Sequence, residues 1–192
     1  VVPAEEPSVG GLRSRIGPAL VLDAVLPPAA FLAGLAAAHG RPLPGVAAAV
    51  GAAVLLAALR LARREGVRAV AASTAFVLAA ALAVRGSGRA VDFFLPELLL
   101  NAALALWFAL SLALRRPATA AVLRLLRVRA EPRGQAAVTG VWLAFWCLHV
   151  AVETPLYLAG QVFWLGLTRI VLGPLLWLPV GWLSLRAARR HH

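Results

Sequence analysis

Apolar residues in this chain are gathered into long uninterrupted blocks separated by short segments that contain arginine, and that arrangement leaves few ways to fold. A helix needs about 20 apolar residues to cross the hydrocarbon core of a bilayer. A block of that length without regular polar positions has no water-facing side. Six blocks are readable, at residues 18–39, 45–62, 67–84, 91–114, 135–159 and 162–185. In a chain of 192 residues they leave short loops and no room for a second, soluble domain. The expected architecture is therefore all-α, a polytopic transmembrane helical bundle over residues 18–185.

Several local features refine this expectation. Pro27 and Pro28 fall in the middle of the first block and are expected to kink or break its helix. Residues 118–133 form a basic interfacial segment in which Arg124, Arg127 and Arg129 alternate with Leu and Val. It reads equally as an amphipathic helix on an anionic leaflet or as a basic loop. Residues 1–17, a cytoplasmic N-terminal segment, lack a long apolar core and are not expected to act as a signal peptide. Residues 186–192 form a tail in which His191 and His192 read as the remnant of a purification tag.

All 19 basic residues are arginine, and the formal charge is +11. Such a balance can signal nucleic-acid binding. Here the arginines lie between apolar blocks rather than on one face, which fits anchoring at an anionic leaflet and no nucleic-acid partner. With six crossings and the N-terminus inside, the inner segments hold fifteen arginines. These are Arg13 and Arg15; Arg60, Arg63, Arg64 and Arg68; the six from Arg115 to Arg133; and Arg186, Arg189 and Arg190. The outer segments hold only Arg41, Arg85 and Arg89. Both termini are thus expected in the cytoplasm.

Ionisable side chains inside a span are costly, and they default to functional sites or internal ion pairs. The spans contain Asp23, Glu97, His149, Glu153 and Arg169, with Asp92 at the entry of the fourth. Counting from the outer ends at about 1.5 Å per residue, Glu97 lies roughly 8 Å in, Glu153 roughly 10 Å and Arg169 roughly 12 Å. Glu97 and Asn101 are spaced i, i+4, as are His149 and Glu153, so each pair shares a helix face. One polar pocket in the outer half of the bundle is expected, with Asp23 entering from the opposite side. The plainest reading of the charges is a salt bridge between Glu153 and Arg169. That leaves Glu97 over, and two carboxylates close together in low dielectric do not both ionise easily. A carboxylic acid that keeps its proton is a general acid.

Aromatic residues accompany these positions in sequence: Phe93, Phe94, Trp107, Trp142, Trp146, Tyr157, Phe163 and Trp164. An interfacial belt accounts for Tyr157, Phe163 and Trp164. Trp142 and Trp146 lie deeper, one turn apart and close to His149, where aromatic faces can stabilise a cation. Cys147 is the only cysteine and reads as a packing residue; no Cys/His spacing suits a metal. The chain has no P-loop, dinucleotide-binding glycine motif, zinc-protease motif or nucleophile elbow, and no Asp-rich motif suited to magnesium diphosphate.

Two stretches, GRAVDFFLPELLLNAALALWFALSLALRRP at 88–117 and ETPLYLAGQVFWLGLTRIVLGPLLWL at 153–178, resemble a family of actinobacterial integral-membrane proteins known only as a domain of unknown function. More distantly they resemble the bacterial inner-membrane septation protein A family. LDAVLPPAAF at 22–31 and RLARREGVRAV at 60–70 fit the same pattern. The resemblance implies a small helical protein of the bacterial plasma (inner) membrane and supplies no reaction. The pattern of that family has a small residue, usually Gly, where this chain has Glu97. It has Arg and Gln where this chain has His149 and Glu153. The chain thus reads as a familiar scaffold that has gained two acids and a histidine.

Three functions are open at this point. The first is an integral-membrane enzyme acting on an apolar, isoprenoid-type substrate by acid–base chemistry, in its most concrete form a protonation-initiated terpene cyclase. Glu153 would be the acid and Glu97 the base or second acid. His149 would tune Glu153 and Asn101 would orient Glu97, with Arg169, Asp23 and Asp92 in support. Trp142, Trp146, Phe94, Tyr157 and Trp107 would face the substrate and its cation, with no cofactor and no metal. The second is a proton-coupled transporter or channel. The third is a non-catalytic scaffold of the cell envelope or septation type.

Overall fold

A computed structural model of the chain describes residues 18–63, 67–120, 132–173, 176 and 180–184. The described residues contain helices and turns and no strand. Helix α1 spans Pro18–Ala37, α2 Pro42–Ala62 and α3 Val67–Ser87. A 3₁₀ turn at Ala90–Phe94 leads directly into α4, Leu95–Ala113. Helix α5 spans Pro132–Leu158 and α6 Val162–Leu172.

Local sequence accounts for these ends. Pro42 and Pro96 stand in the first turns of α2 and α4, where a missing N–H costs nothing. Helix α5 closes on Gly160, whose φ of 68° is open to glycine at no steric cost. Gly160 N–H donates to the Tyr157 carbonyl at 3.0 Å and Gln161 N–H to the Leu156 carbonyl at 2.9 Å, the paired bonds of a Schellman cap. Three expectations about these helices need adjusting. Helix α1 is not broken at Pro27 and Pro28: helical backbone continues through both, and both are buried in the bundle. The helix that opens the sixth block, α6, ends at Leu172 with Gly173 as its cap, and helical backbone is described again at 176 and at 180–184. The third block extends three residues further than expected, to Ser87.

Among the described residues four helical segments are long and apolar enough to cross a membrane: Pro42–Ala62, Val70–Ser87, Ala90–Ala113 and Arg133–Leu158. Ala24–Ala37 and Val162–Leu172 are apolar but shorter. In each of the four long segments only about a fifth of the most apolar stretch, 17–22%, is buried inside the bundle. The rest presents Leu43, Leu82, Leu106 and Leu158 outward. Apolar surface on that scale is what a lipid-solvated helix carries and a water-soluble one does not.

The interior is held together near one end. Phe31 of α1 stacks on Phe93 of the 3₁₀ turn with centroids 4.0 Å apart, and Phe94 meets both rings edge-on. Ala49 and Ala53 of α2, Val77, Ala80 and Val84 of α3, Val91 of the turn and Leu165 of α6 belong to the same cluster. Helices α1 and α2 approach so closely that a Cβ on Gly34 would lie 2.9 Å from the Pro44 carbonyl oxygen, and one on Gly45 2.8 Å from that of Phe31. The turns after α1, α3 and α5 gather at this end, as an up-and-down order of helices requires. Near the other end of α5, the Thr119 and Thr139 hydroxyls share a hydrogen bond of 2.7 Å, and Thr139 also donates to the Gln135 carbonyl. Most of the basic segment 118–133, together with residues 1–17 and 186–192, lies outside the described residues.

Candidate functional site

Helix α5 carries His149, Glu153 and Tyr157 at intervals of four residues, so the three side chains leave one face in a row. His149 and Glu153 are 3% and 4% exposed. His149 Nδ1 lies 2.8 Å from Glu153 Oε1. The other oxygen of the same carboxylate, Oε2, accepts a 3.0 Å hydrogen bond from Asn101 Nδ2 on α4. Both oxygens of Glu153 are therefore occupied, one by a ring on its own helix and one by an amide across the helix interface.

Arg169 and Glu97 form the second polar pair. Arg169 Nη1 on α6 is 2.8 Å from Glu97 Oε2, with side chains 14% and 20% exposed. The sequence pairs Arg169 with Glu153, and the fold does not. Glu97 sits in the first turn of α4, where a carboxylate meets the positive end of the helix, and both oxygens of Glu153 already have other partners. Asn101 likewise serves Glu153 rather than Glu97: side chains at i and i+4 on α4 point along one face toward α5, and the amide reaches across instead of back. The Arg169 guanidinium also lies over the Phe76 ring of α3, 5.6 Å from its centroid. Glu97 and Asn101 stand one turn apart on α4, the first paired with Arg169 and the second with Glu153, so the two polar pairs belong to one centre shared by α4, α5 and α6.

Rings line the α5 side of this centre. Phe145 meets His149 edge-on at 4.6 Å and Trp146 at 4.8 Å. Trp146 lies 6.0 Å from His149 and 6.2 Å from Trp142. Among the described residues, two buried side-chain nitrogens have no hydrogen-bond partner: Trp146 Nε1 and His149 Nε2.

The remaining expected residues divide. Asp92 accepts a 2.5 Å hydrogen bond from the Tyr157 hydroxyl, and Arg89 lies over the Tyr157 ring at 5.8 Å. Tyr157 thus has its hydroxyl engaged by Asp92 and a ring face occupied by Arg89, and does not serve as a free cation-facing ring. Phe94 belongs to the cluster with Phe31 and Phe93. Trp107 is 62% exposed on the outside of α4; six residues beyond Asn101, it is turned about 120° from the inward face. Asp23 lies on α1, outside the side chains described. Phe145 and Phe76 are the rings that sequence reasoning overlooks. Phe145 carries a usable signal, its i, i+4 spacing to His149; Phe76 carries none, because its contact with Arg169 joins distant helices.

The fold and its centre define a class: a largely apolar helical bundle of membrane-spanning type with ionisable side chains turned inward. Within that class the chain belongs to the family described as "Protein of unknown function (DUF3159)", which matches residues 16–192. No curated protein and no solved structure matches it.

Proposed function

We propose that this protein is an integral-membrane acid–base enzyme that isomerises an apolar, isoprenoid-type substrate, most concretely a protonation-initiated terpene cyclase. The observation that carries this reading is the imidazole–carboxylate pair His149–Glu153, almost fully buried among aromatic rings in a bundle whose outer surface is apolar. A buried ionisable pair of this kind is expensive to keep in a membrane and marks function by default. The topology that accompanies the proposal is six crossings with both ends of the chain on the cytoplasmic side of a bacterial inner membrane.

The hydrogen bonds favour a division of labour. Glu153, with both oxygens engaged, orients the ring through Nδ1, and His149 exchanges the proton at Nε2. Once the ring carries two protons, Nε2–H passes one to the substrate and a cation develops on carbon. The faces of Trp142, Trp146 and Phe145 stabilise it. Ring closure forms a carbon–carbon bond from a π bond, and loss of a proton from carbon to Nε2 restores both the ring and the mass of the substrate. Glu97 and Arg169 hold α4 and α6 against the reacting face. They fill that role here, in place of Glu97 as base.

A second reading has one specific observation in its favour. Asn101–Glu153 and Glu97–Arg169 tie α4 to α5 and α6, as the polar clamps of a non-catalytic envelope scaffold would. The two readings separate on turnover. Membranes carrying wild type, His149→Gln, Glu153→Gln or no protein are incubated with farnesylated compounds, and products of unchanged mass and shifted retention are sought. Such an isomer from wild type, reduced in both variants, supports the enzyme. Its absence from every substrate, with folded protein, sinks it in favour of the scaffold; proton flux in liposomes would then separate a transporter from both.

A further inference from the structure

The two unpartnered nitrogens of the centre belong to neighbouring rings. Trp146 and His149 stand three residues apart on one face of α5, with ring centroids 6.0 Å apart. Trp146 Nε1 and His149 Nε2 are both buried, and neither has a hydrogen-bond partner among the described residues. An indole N–H can only donate. With Nδ1 committed to Glu153, Nε2 of His149 is an acceptor on a neutral ring and a donor on a charged one. Leaving either nitrogen unpaired inside the bundle is costly, and hydrocarbon cannot satisfy them. Phe145 touches both rings and offers only an apolar edge, so it satisfies neither nitrogen.

We infer that Trp146 and His149 together seat one oxygen atom of an apolar ligand, which accepts the Trp146 Nε1–H and lies against His149 Nε2. The ligand is then an oxygenated lipid-soluble molecule, an alcohol, carbonyl compound or epoxide, and not a bare hydrocarbon. A hydroxyl satisfies the neutral ring, giving its hydrogen to Nε2 while accepting from the indole; a carbonyl or epoxide oxygen satisfies two donors. This deepens the acid–base reading by naming the group that meets the proton, and it assigns Trp146 through its N–H where the sequence suggests only its ring face. Binding does not require turnover, so the inference stands or falls separately from the cyclase proposal.

The test is equilibrium binding of three radiolabelled C15 probes, farnesol, farnesal and farnesene, to the protein in lipid nanodiscs, with empty nanodiscs subtracted. Farnesol or farnesal is expected to bind at least about tenfold more tightly than farnesene, the scale of one net hydrogen bond. Trp146→Phe is expected to bring the oxygenated probes to the level of farnesene and leave farnesene unchanged. Should that variant lose its melting transition, benzothienylalanine at position 146 keeps the shape of the indole without its N–H and is expected to give the same result. Trp107→Phe, on the outer surface, leaves the preference intact. Equal binding of all three probes, or a preference for oxygen that survives removal of the N–H, overturns the inference.

Discussion

The guanidinium of Arg169 on α6 lies 2.8 Å from the carboxylate of Glu97 in the first turn of α4, and over the ring of Phe76 on α3. One cation thereby joins three helices. Removing either partner strands the other charge in a largely apolar bundle. Arg169→Met or Glu97→Gln is expected to lower stability by about 2–4 kcal/mol, somewhat below a fully buried pair because a fifth of Glu97 is exposed. The double variant is expected to recover most of the loss. Denaturant unfolding in micelles measures it, and additive single-variant losses would show that the pair is not coupled.

The Glu153 carboxylate acts, in the proposed reaction, through the ring it orients. Glu153→Gln is expected to lower kcat by about 10²-fold while KM moves little, and His149→Gln to abolish product. A Glu153→Gln variant with unchanged kcat would remove the carboxylate from the mechanism. The fold controls are native-like melting and retention of the farnesol preference, since the indole N–H is untouched.

Much of this arrangement is legible in the amino-acid sequence. The apolar blocks predict the helices because lipid solvation imposes a length and forbids a polar face, and the i, i+4 spacings of Glu97 with Asn101 and His149 with Glu153 predict shared faces. The partnerships across helices are not legible. Glu153 and Arg169 are adjacent in sequence order and in depth, yet Arg169 reaches Glu97, because helix rotation decides which of two carboxylates faces a guanidinium and no local pattern encodes it. Trp107 shows the same limit: proximity along α4 groups it with the site, and its rotation about the axis puts it outside.

Phe31 is fully buried and stacked on Phe93. Phe31→Ala removes the ring that joins α1 to the turn before α4 and is expected to cost about 3–5 kcal/mol. A thermal shift assay in detergent reads it. A melting point within 2–3 °C of wild type, a drop of roughly 1 kcal/mol for a chain of this size, would mean the cluster is not a keystone of the bundle.

The turns carrying Arg41, Arg89 and Gln161 belong to one end of the bundle, and Arg63 and Arg116 to the other. In a Cys147→Ser background, cysteines at 41, 89 and 161 are expected to react with an impermeant maleimide from outside intact cells, and cysteines at 63 and 116 only after permeabilisation. The background change is mild because Cys147 is on the outer face of α5. Labelling of positions 41 and 161 from opposite sides would break the proposed topology.

The Glu97–Arg169 pair also fixes an order of events during synthesis. The acid is made first, and the guanidinium that pairs with it belongs to α6, made later. A nascent chain ending at Gly160 would hold α4 and α5 with Asn101 already able to reach Glu153, and Glu97 facing no cation. Helix α6 therefore brings the partner of Glu97 as well as packing. Until α6 arrives, α4 has reason to linger beside the insertion machinery, and a truncation before Arg169 presents quality control with an unmatched carboxylate in the bilayer rather than with a merely shorter protein.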